Sequence, residues 1–579
     1  MKKIFKSMLL FMAVTAGTGI LASCNDEDLP AADGLFRPVI NENDNIEHAL
    51  DANNRPTMTI KWDNYTSANK YTVKIEANDG SDTREISTDT TFCVFDKLQY
   101  DKEYNVSLTA ENTTSGLASK PFTLTTTSLD YPTALSTIGT SDVIDTQVRI
   151  RWNSEVETYD SLAIYTDSDE EFVIGASLSA DDNVTKERIF KSLEPKTTYR
   201  VVAFLNGEYK GKKRFTTVAP ENYTGVVFDL RDMDESESKN YINTDQLAAD
   251  VAANPGENIT YVLQGGQDYK ISGGTVVPGT SKTITFVTGL TLAGNANFIS
   301  SGGMGLAGED VEGIVFEKIN FKSDKLNNGD YTIATNQDKG FGGRQVFNIN
   351  GVNCTLKNIT FKSCSMQGYR AIVRAQQDGD NINNITLEDC IINGIGDQGC
   401  FTTTNKDSDW RTLTMKNCTV TNIVSLCDFR KTTNTLKFTI ENCTFCYAPM
   451  ETTANANTPL FRIGSENVEL KVKNSIFGPA MATEESTGGK LLTYTAGTAG
   501  SIFVNGGTFA NSDIMSSYKT NFSWIDMNTT GEGDPKVYPL EGLIDLGMSE
   551  TEVWNKPSEG TFTIVAKMPE TGIGDARWQ

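Results

Sequence analysis

Across residues 36–127, apolar and polar positions alternate in short runs. Examples are Thr57-Met58-Thr59-Ile60-Lys61-Trp62 and Tyr71-Thr72-Val73-Lys74-Ile75, parted by turn residues such as Asn78-Asp79-Gly80. A period of two marks half-buried strands, and several short ones in succession predict an antiparallel sandwich. Residues 128–218 repeat the pattern, with Val148-Arg149-Ile150-Arg151-Trp152 matching the first Trp-bearing strand. The period changes once, at Thr244-Asp-Gln-Leu-Ala-Ala-Asp-Val-Ala-Ala-Asn254. There Thr244 or Asp245 can cap a helix that Asn254-Pro255-Gly256 ends. After it the chain returns to short strands.

These strands carry a repeated phrase. It reads Thr355-Leu-Lys-Asn-Ile-Thr-Phe361, Thr386-Leu-Glu-Asp-Cys-Ile-Ile392, Thr414-Met-Lys-Asn-Cys-Thr-Val420, Thr439-Ile-Glu-Asn-Cys-Thr-Phe445 and Lys471-Val-Lys-Asn-Ser-Ile-Phe477, with a weaker copy at Val315-Phe-Glu-Lys-Ile-Asn-Phe321. Aligned on Asn358, Asp389, Asn417, Asn442 and Asn474, the steps are 31, 28, 25 and 32 residues. That period belongs to stacked repeats, each burying its apolar face only against its neighbours. The inward phase flips across the Asn, which needs a bend, and Asn tolerates the left-handed conformation of such a bend. A second column, Phe347, Val373, Phe401, Phe429, Phe461 and Leu492, steps by 26, 28, 28, 32 and 31. The fold class expected is all-β: two sandwiches, then a right-handed parallel β-helix over residues 219–579 opened by a cap helix.

Ten cysteines are present, eight of them between Cys354 and Cys446. In this register Cys390, Cys418 and Cys443 stack inward about 4.8 Å apart. Buried free thiols suit such a ladder. Disulfides are the alternative that an exported chain permits, and Cys443-Thr-Phe-Cys446 lacks a second pair to make a zinc site.

The N-terminus supplies the compartment. Lys2, Lys3 and Lys6 precede an apolar run over residues 8–22 and then Leu21-Ala22-Ser23-Cys24. This is a secretory signal over residues 1–23, too short to span a bilayer. Leu-Ala-Ser-Cys resembles the bacterial lipobox, which makes Cys24 the lipidated residue. The acidic Asn25-Asp26-Glu27-Asp28 in the linker 24–35 resembles the tract that sends lipoproteins to the cell surface. An outer-membrane, lipid-anchored, outward-facing protein is the expectation.

With 51 basic against 75 acidic residues and a formal charge of −24, a nucleic-acid partner is not expected. His48 is the sole histidine, so no His-based triad or multi-His metal site can lie in the β-helix.

Three resemblances complete the reading. Leu98 six residues before Tyr104, and Leu193 six before Tyr199, resemble the tyrosine corner of fibronectin type III modules. That resemblance implies that the Tyr hydroxyl bonds nearby backbone, that Trp62 and Trp152 are core residues, and that both modules are spacers. The Asn ladder, cap helix and Cys/Ile/Phe interior resemble pectate-lyase-like β-helices. The whole layout, closing on Gly574-Asp575-Ala576-Arg577-Trp578, resembles surface lipoproteins of polysaccharide-utilisation systems, especially pectic ones.

The candidate chemistry is an outward row beside the Phe column: Asn348, Arg374, Thr402, Arg430, Arg462 and Thr493. Arg344 and Arg370 are close by, and Asp378, Asp380, Asp397 and Asp428 adjoin them. Guanidiniums bind carboxylates through two parallel bonds, so Asn348, Arg374, Thr402, Arg430 and Arg462 form the candidate carbohydrate site. The competing reading pairs these arginines with the aspartates as structural ion pairs. Hydrolases of the fold carry Gly-His-Gly and Asp-Asp, and the methylesterase-like enzymes carry Gln-Asp-Thr and Val-Asp-Phe. The β-helix has neither set, and Gly396-Asp397-Gln398-Gly399 reverses the Asp-Gln order. A lyase would need an Arg or Lys base beside a uronate; no catalytic residue is assigned. The chain therefore reads as a non-catalytic binder of pectic, acidic polysaccharide, partnered by importer components and needing no cofactor beyond an optional Ca²⁺. A β-helix polyuronate lyase is the alternative, and a structural or adhesive surface protein the third reading.

Overall fold

The computed structural model describes residues 34–153, 155, 158–306, 308–325, 343–351, 353–403, 407–429, 434–449, 460–463, 468–483, 492–494, 498–499, 502–504, 511–524, 536–538, 540 and 542–579. Cys24 with its signal and the linker as far as residue 33, and Arg430, lie outside them. The chain divides into two compact units. One is Met1–Leu135 with Asn153–Leu162 and Val202–Lys212; the other is Ser136–Trp152, Ala163–Val201 and Lys213–Gln579.

In the first sandwich, alternation sorts the strands into two sheets. Ile46–Leu50, Pro56–Lys61 and Phe92–Phe95 make one, and Thr83–Thr88, Lys70–Ala77, Glu103–Asn112 and Phe122–Thr127 make the other. Met58, Ile60, Trp62, Tyr71, Val73, Tyr104 and Val106 fill the space between them. Pro56–Lys61, Lys70–Ala77, Phe92–Phe95 and Glu103–Asn112 bury every second residue over most of their length, as their sequence predicts, while Thr83–Thr88 buries none. The second sandwich pairs Val148–Arg151 with Glu187–Phe190, and Phe172–Ser177, Ser161–Thr166, Thr198–Leu205 and Glu208–Thr216 make its four-stranded sheet. Trp62 and Trp152 are both buried core residues. Both tyrosine corners form. Tyr199 Oη accepts the Glu194 N–H at 2.9 Å. Tyr104 Oη takes the Gln99 backbone and donates to Asp82 at 3.1 Å.

The cap helix spans Thr244–Ala253, and its cap is Asn243, one residue before the expected positions. The Asn243 side chain accepts the Gln246 N–H at 3.0 Å. The Thr244 hydroxyl is committed elsewhere, donating to Gly274 O and accepting the Val276 N–H.

The rest is a parallel β-helix. Among the described residues its first sheet stacks ten strands from Val226–Asp229 to Asn511–Met515, and its second stacks ten from Asp268–Ile271 to Ile544–Asp545. The third contains Gln345–Ile349, Ala371–Ala375, Phe401–Thr402, Cys427–Phe429, Phe461–Ile463, Ile502–Val504 and the antiparallel Lys536–Tyr538. The first and second sheets meet at a left-handed residue on successive turns: Lys318, Ser363, Asp389, Asn417, Asn442, Asn474 and Ser516, with φ between 44° and 56°. Four of the five aligned positions are as the sequence predicts. The fifth is corrected: Ser363 takes the bend, and Asn358 sits five residues earlier, mid-strand, opposite Asn384. Asn358 Nδ2 donates to Glu312 O at 3.0 Å.

The residue after each bend points inward, where the turn is narrow. Cys364, Cys390, Cys418 and Cys443 occupy it, all buried free thiols. Each donates its S–H to the carbonyl two residues back, at 3.3, 3.3, 3.1 and 3.3 Å. Ser475 and Ser517 continue the ladder with hydroxyls at 2.9 and 2.8 Å. From Ser363 onward this corner holds a small group carrying one donor, whereas after Lys318 the fully buried Ile319 takes the place. No helix of the described residues is long and apolar enough to cross a membrane.

Candidate functional site

The third sheet carries the candidate row, and its register corrects the sequence alignment. Phe347 pairs with Val373, Val373 with Phe401, Phe401 with Cys427, Cys427 with Phe461, and Phe461 with Ile502. Phe429 is thus two residues beyond the column, opposite Ile463. It remains buried, with its ring centroid 4.4 Å from Trp410. Leu492 belongs to a separate hairpin with Met481–Thr483. The neighbouring row reads Asn348, Arg374, Thr402, Asp428, Arg462 and Phe503. Asp428 holds the place expected for Arg430, and Phe503 the place expected for Thr493. Asn348, Arg374 and Thr402 are brought together on three adjacent strands, and the Arg462 backbone joins them one turn past Asp428.

Arg374 is the half-buried residue in an otherwise buried strand, Ala371–Ala375. Its guanidinium is held below its ordinary value, first by burial and then by the charge of Arg370, with Asp397 acting in the opposite sense. Arg370 itself forks onto Asp397 at 2.7 and 3.0 Å. That bond pushes the Arg370 guanidinium up. One turn earlier Arg344 grips Asp324 at 2.9 and 3.3 Å. Paired amides flank the row: Asn348 Nδ2 donates to Gln376 at 3.0 Å, and Gln345 Nε2 to Gln398 at 3.0 Å. Thr402 and Asp428 are 1 % and 8 % exposed, so both lie under cover.

The four aspartates separate into roles that the sequence left open. Asp397 is an arginine partner. Asp378 accepts the Asp407 N–H at 2.9 Å. Asp380 turns to the core, accepts the Cys354 S–H at 3.3 Å and is pushed up by burial. Asp428 lies in the row itself. Among the described residues no group of three or more His, Cys, Asp or Glu is arranged to hold a metal. A separate open cleft of about 350 Å³, on the outside of the first sheet, is lined by Thr280, Glu309, Asp310, Glu312 and Lys357. It was not expected from sequence, because of its lining residues only Lys357 belongs to the repeated phrase. Lys357 and Glu312 are already bonded there at 2.7 Å.

No family model matches this chain, and no curated protein matches it. Among solved structures it is similar to a two-domain fibronectin type III segment of chicken tenascin, at 16 % identity. That match covers 30 % of this chain and 97 % of that one, with a TM-score of 0.16. It is also similar to the FN1–FN3 domains of chicken CNTN1, at 16 % identity, covering 32 % of this chain and 65 % of that one, with a TM-score of 0.13. Scores this low carry no functional argument. The all-β assignment rests on the sandwiches' own strand order and on the parallel stack that follows them.

Proposed function

We propose that this chain is a non-catalytic surface lipoprotein that captures pectic, acidic polysaccharide and passes it to a neighbouring outer-membrane importer. Cys24 anchors it, the two sandwiches act as spacers, and the third sheet of the β-helix binds. The observation that carries the reading is Arg374. It is a guanidinium withdrawn halfway from water, beside Arg370 and in a row with Asn348 and Thr402. A cation in reduced dielectric attracts a carboxylate more strongly than one in bulk water, and strand spacing repeats polar groups along the row at about 4.8 Å. The test is affinity electrophoresis of the full chain in gels with polygalacturonate or neutral glycans. Arg374→Ala should weaken uronate binding about tenfold or more, the loss of one charged hydrogen-bonded group worth roughly 1.5–3 kcal/mol, with the melting temperature nearly unchanged. A large fall in melting temperature with binding intact would make Arg374 structural. Retardation by no glycan would favour the structural or adhesive reading.

One observation favours the lyase alternative. Burial and the adjacent Arg370 loosen the Arg374 proton, the direction a base needs. In that case polygalacturonate incubated with the protein should gain unsaturated ends, and Arg374→Ala should abolish them.

A further inference from the structure

The last residues of the chain lie across the bends of the β-helix and bond them one by one. Gly574 N–H donates to Asn474 O at 2.8 Å, and Gly572 O accepts from Asn442 Nδ2 at 2.9 Å. Ala576 N–H donates to Asn417 Oδ1 at 2.6 Å. The Arg577 guanidinium donates to Asp389 O at 2.7 Å, Cys390 O at 2.9 Å and Asn417 O at 3.1 Å. Asp389, Asn417, Asn442 and Asn474 are the left-handed residues of four consecutive turns. Asp575 is fully buried; it pairs with Arg577 and accepts the Thr419 hydroxyl at 2.6 Å. The Trp578 indole N–H reaches the same hydroxyl at 2.7 Å. Gly574 has φ of 81°, and a Cβ there would stand 2.8 Å from Thr444 Oγ1. The close approach and the left-handed backbone both require glycine.

We propose that residues 572–578 are a latch that closes after the turns have stacked and holds four of them against unfolding. A stacked repeat contacts only its neighbours, so it opens turn by turn. A segment bonded to four turns at once couples their opening. Its hydrogen-bond partners come from bends far apart in sequence, and they exist as a set only once those bends are aligned. The latch therefore forms late. Interactions absent from the folding transition state change the unfolding rate and leave the folding rate alone.

The test is stopped-flow refolding and unfolding of the full chain in denaturant, comparing Arg577→Ala with a control, Arg411→Ala, whose exposed side chain bonds Asp409 at 2.8 Å. Arg577→Ala should unfold at least tenfold faster than the control and refold at the same rate. Trp578→Phe keeps the ring against Phe562, whose centroid is 5.9 Å away, and loses only the indole bond. It should shift unfolding in the same direction by a smaller factor, and it reports the latch if Arg577→Ala does not fold. Unfolding at the control rate in both variants would overturn the proposal. So would a refolding rate slowed as much as unfolding is quickened, since the segment would then belong to the folding nucleus.

Discussion

Replacing Arg231 with Ala strands a buried anion. Arg231 forks onto Asp145 at 2.9 and 3.0 Å and reaches Asp229 at 2.7 Å. The side chains of Arg231 and Asp145 are 4 % and 2 % exposed, while that of Asp229 is 31 % exposed. Without the guanidinium Asp229 can turn to water, but Asp145 cannot. Removing one partner of a buried pair costs about 3–5 kcal/mol. The aliphatic stem is also packed, with Cδ 3.1 Å from where a Cβ on Gly289 would stand, so truncation opens a void as well. Arg231→Met combined with Asp145→Leu buries no charge and should recover most of the loss. The chain has more than one unit, so a single global unfolding energy is not defined. Native-state hydrogen exchange reads the local value instead. Amides of Val226–Asp229 and Ile259–Leu263 should lose protection about 10²- to 10⁴-fold in Arg231→Ala, the equivalent of that energy. A loss below about tenfold, or a double variant no better protected than the single one, would refute the reasoning.

Three further outcomes are expected. Cys418→Ser should keep the hydrogen-exchange protection of the parent, because Ser475 and Ser517 make the same bond at the same corner; Cys418→Val, which loses the donor and adds bulk, should lower the protection of the Thr412–Lys416 and Thr419–Ile423 amides by about 1–3 kcal/mol. Burial pushes the Cys93 and Cys354 thiols up to about 12, so alkylation at mildly alkaline pH followed by mass spectrometry should leave both unmodified until denaturant is added. His48 is held below its ordinary 6.5, chiefly by burial, with Glu42 opposing: the unfolded chain then binds more protons just below 6.5, so this stability contribution is present above 6.5 and lost as pH falls through the folded value, and an imidazole resonance titrating at or above 6.5 would contradict it.

The sandwiches were legible because each has one wet face, and alternation then fixes strand, face and core together. The β-helix was legible where a bend residue and a small inward donor stand side by side, as at Asp389-Cys390, Asn417-Cys418 and Asn442-Cys443. The frame slipped at Thr355-Leu-Lys-Asn-Ile because that phrase imitates the bend while lying mid-strand. Cys364, directly after Ser363, was the signal that would have corrected it. On the third sheet the strands shrink to two or three residues. Cys427 and Phe429 both face inward there, and a two-residue slip leaves the apolar pattern intact. Hydrophobicity therefore could not choose between Asp428 and Arg430 for the outward row. The closing latch has no period at all, and only the Gly572 and Gly574 spacing hinted at a special backbone.

The three faces of the β-helix differ in the order of the polar side chains they carry. On the first sheet Glu317, Lys362, Glu388, Lys416, Glu441 and Lys473 stand directly opposite one another in turn. Charge alternates at every step, with bonds such as Lys362–Glu317 at 3.5 Å. Beside it Thr360, Thr386, Thr414 and Thr439 form a uniform column. Such a face is neutral over any length longer than one step, and a repeating anion would find no net attraction there. The second sheet begins with a closed chain of side-chain bonds, Asn297 to Asp268, Asn320 to Asn297 and Ser365 to Asn320, at 2.9, 3.2 and 2.8 Å. Its later turns lie under Val553, Trp554, Phe562 and Ile573. The third sheet carries bonds of another kind, the amide pairs of Asn348 with Gln376 and Gln345 with Gln398 and the forks of Arg344 on Asp324 and Arg370 on Asp397. Its row runs through Asn348, Arg374, Thr402 and Asp428, an order that does not alternate in charge, with Arg344 and Arg370 alongside. Selection for stacking alone would favour the self-neutralising pattern of the first sheet. Under the proposed function, the row that departs from that pattern is the face that would meet the acidic polymer, and Arg374→Ala is the substitution that tests it.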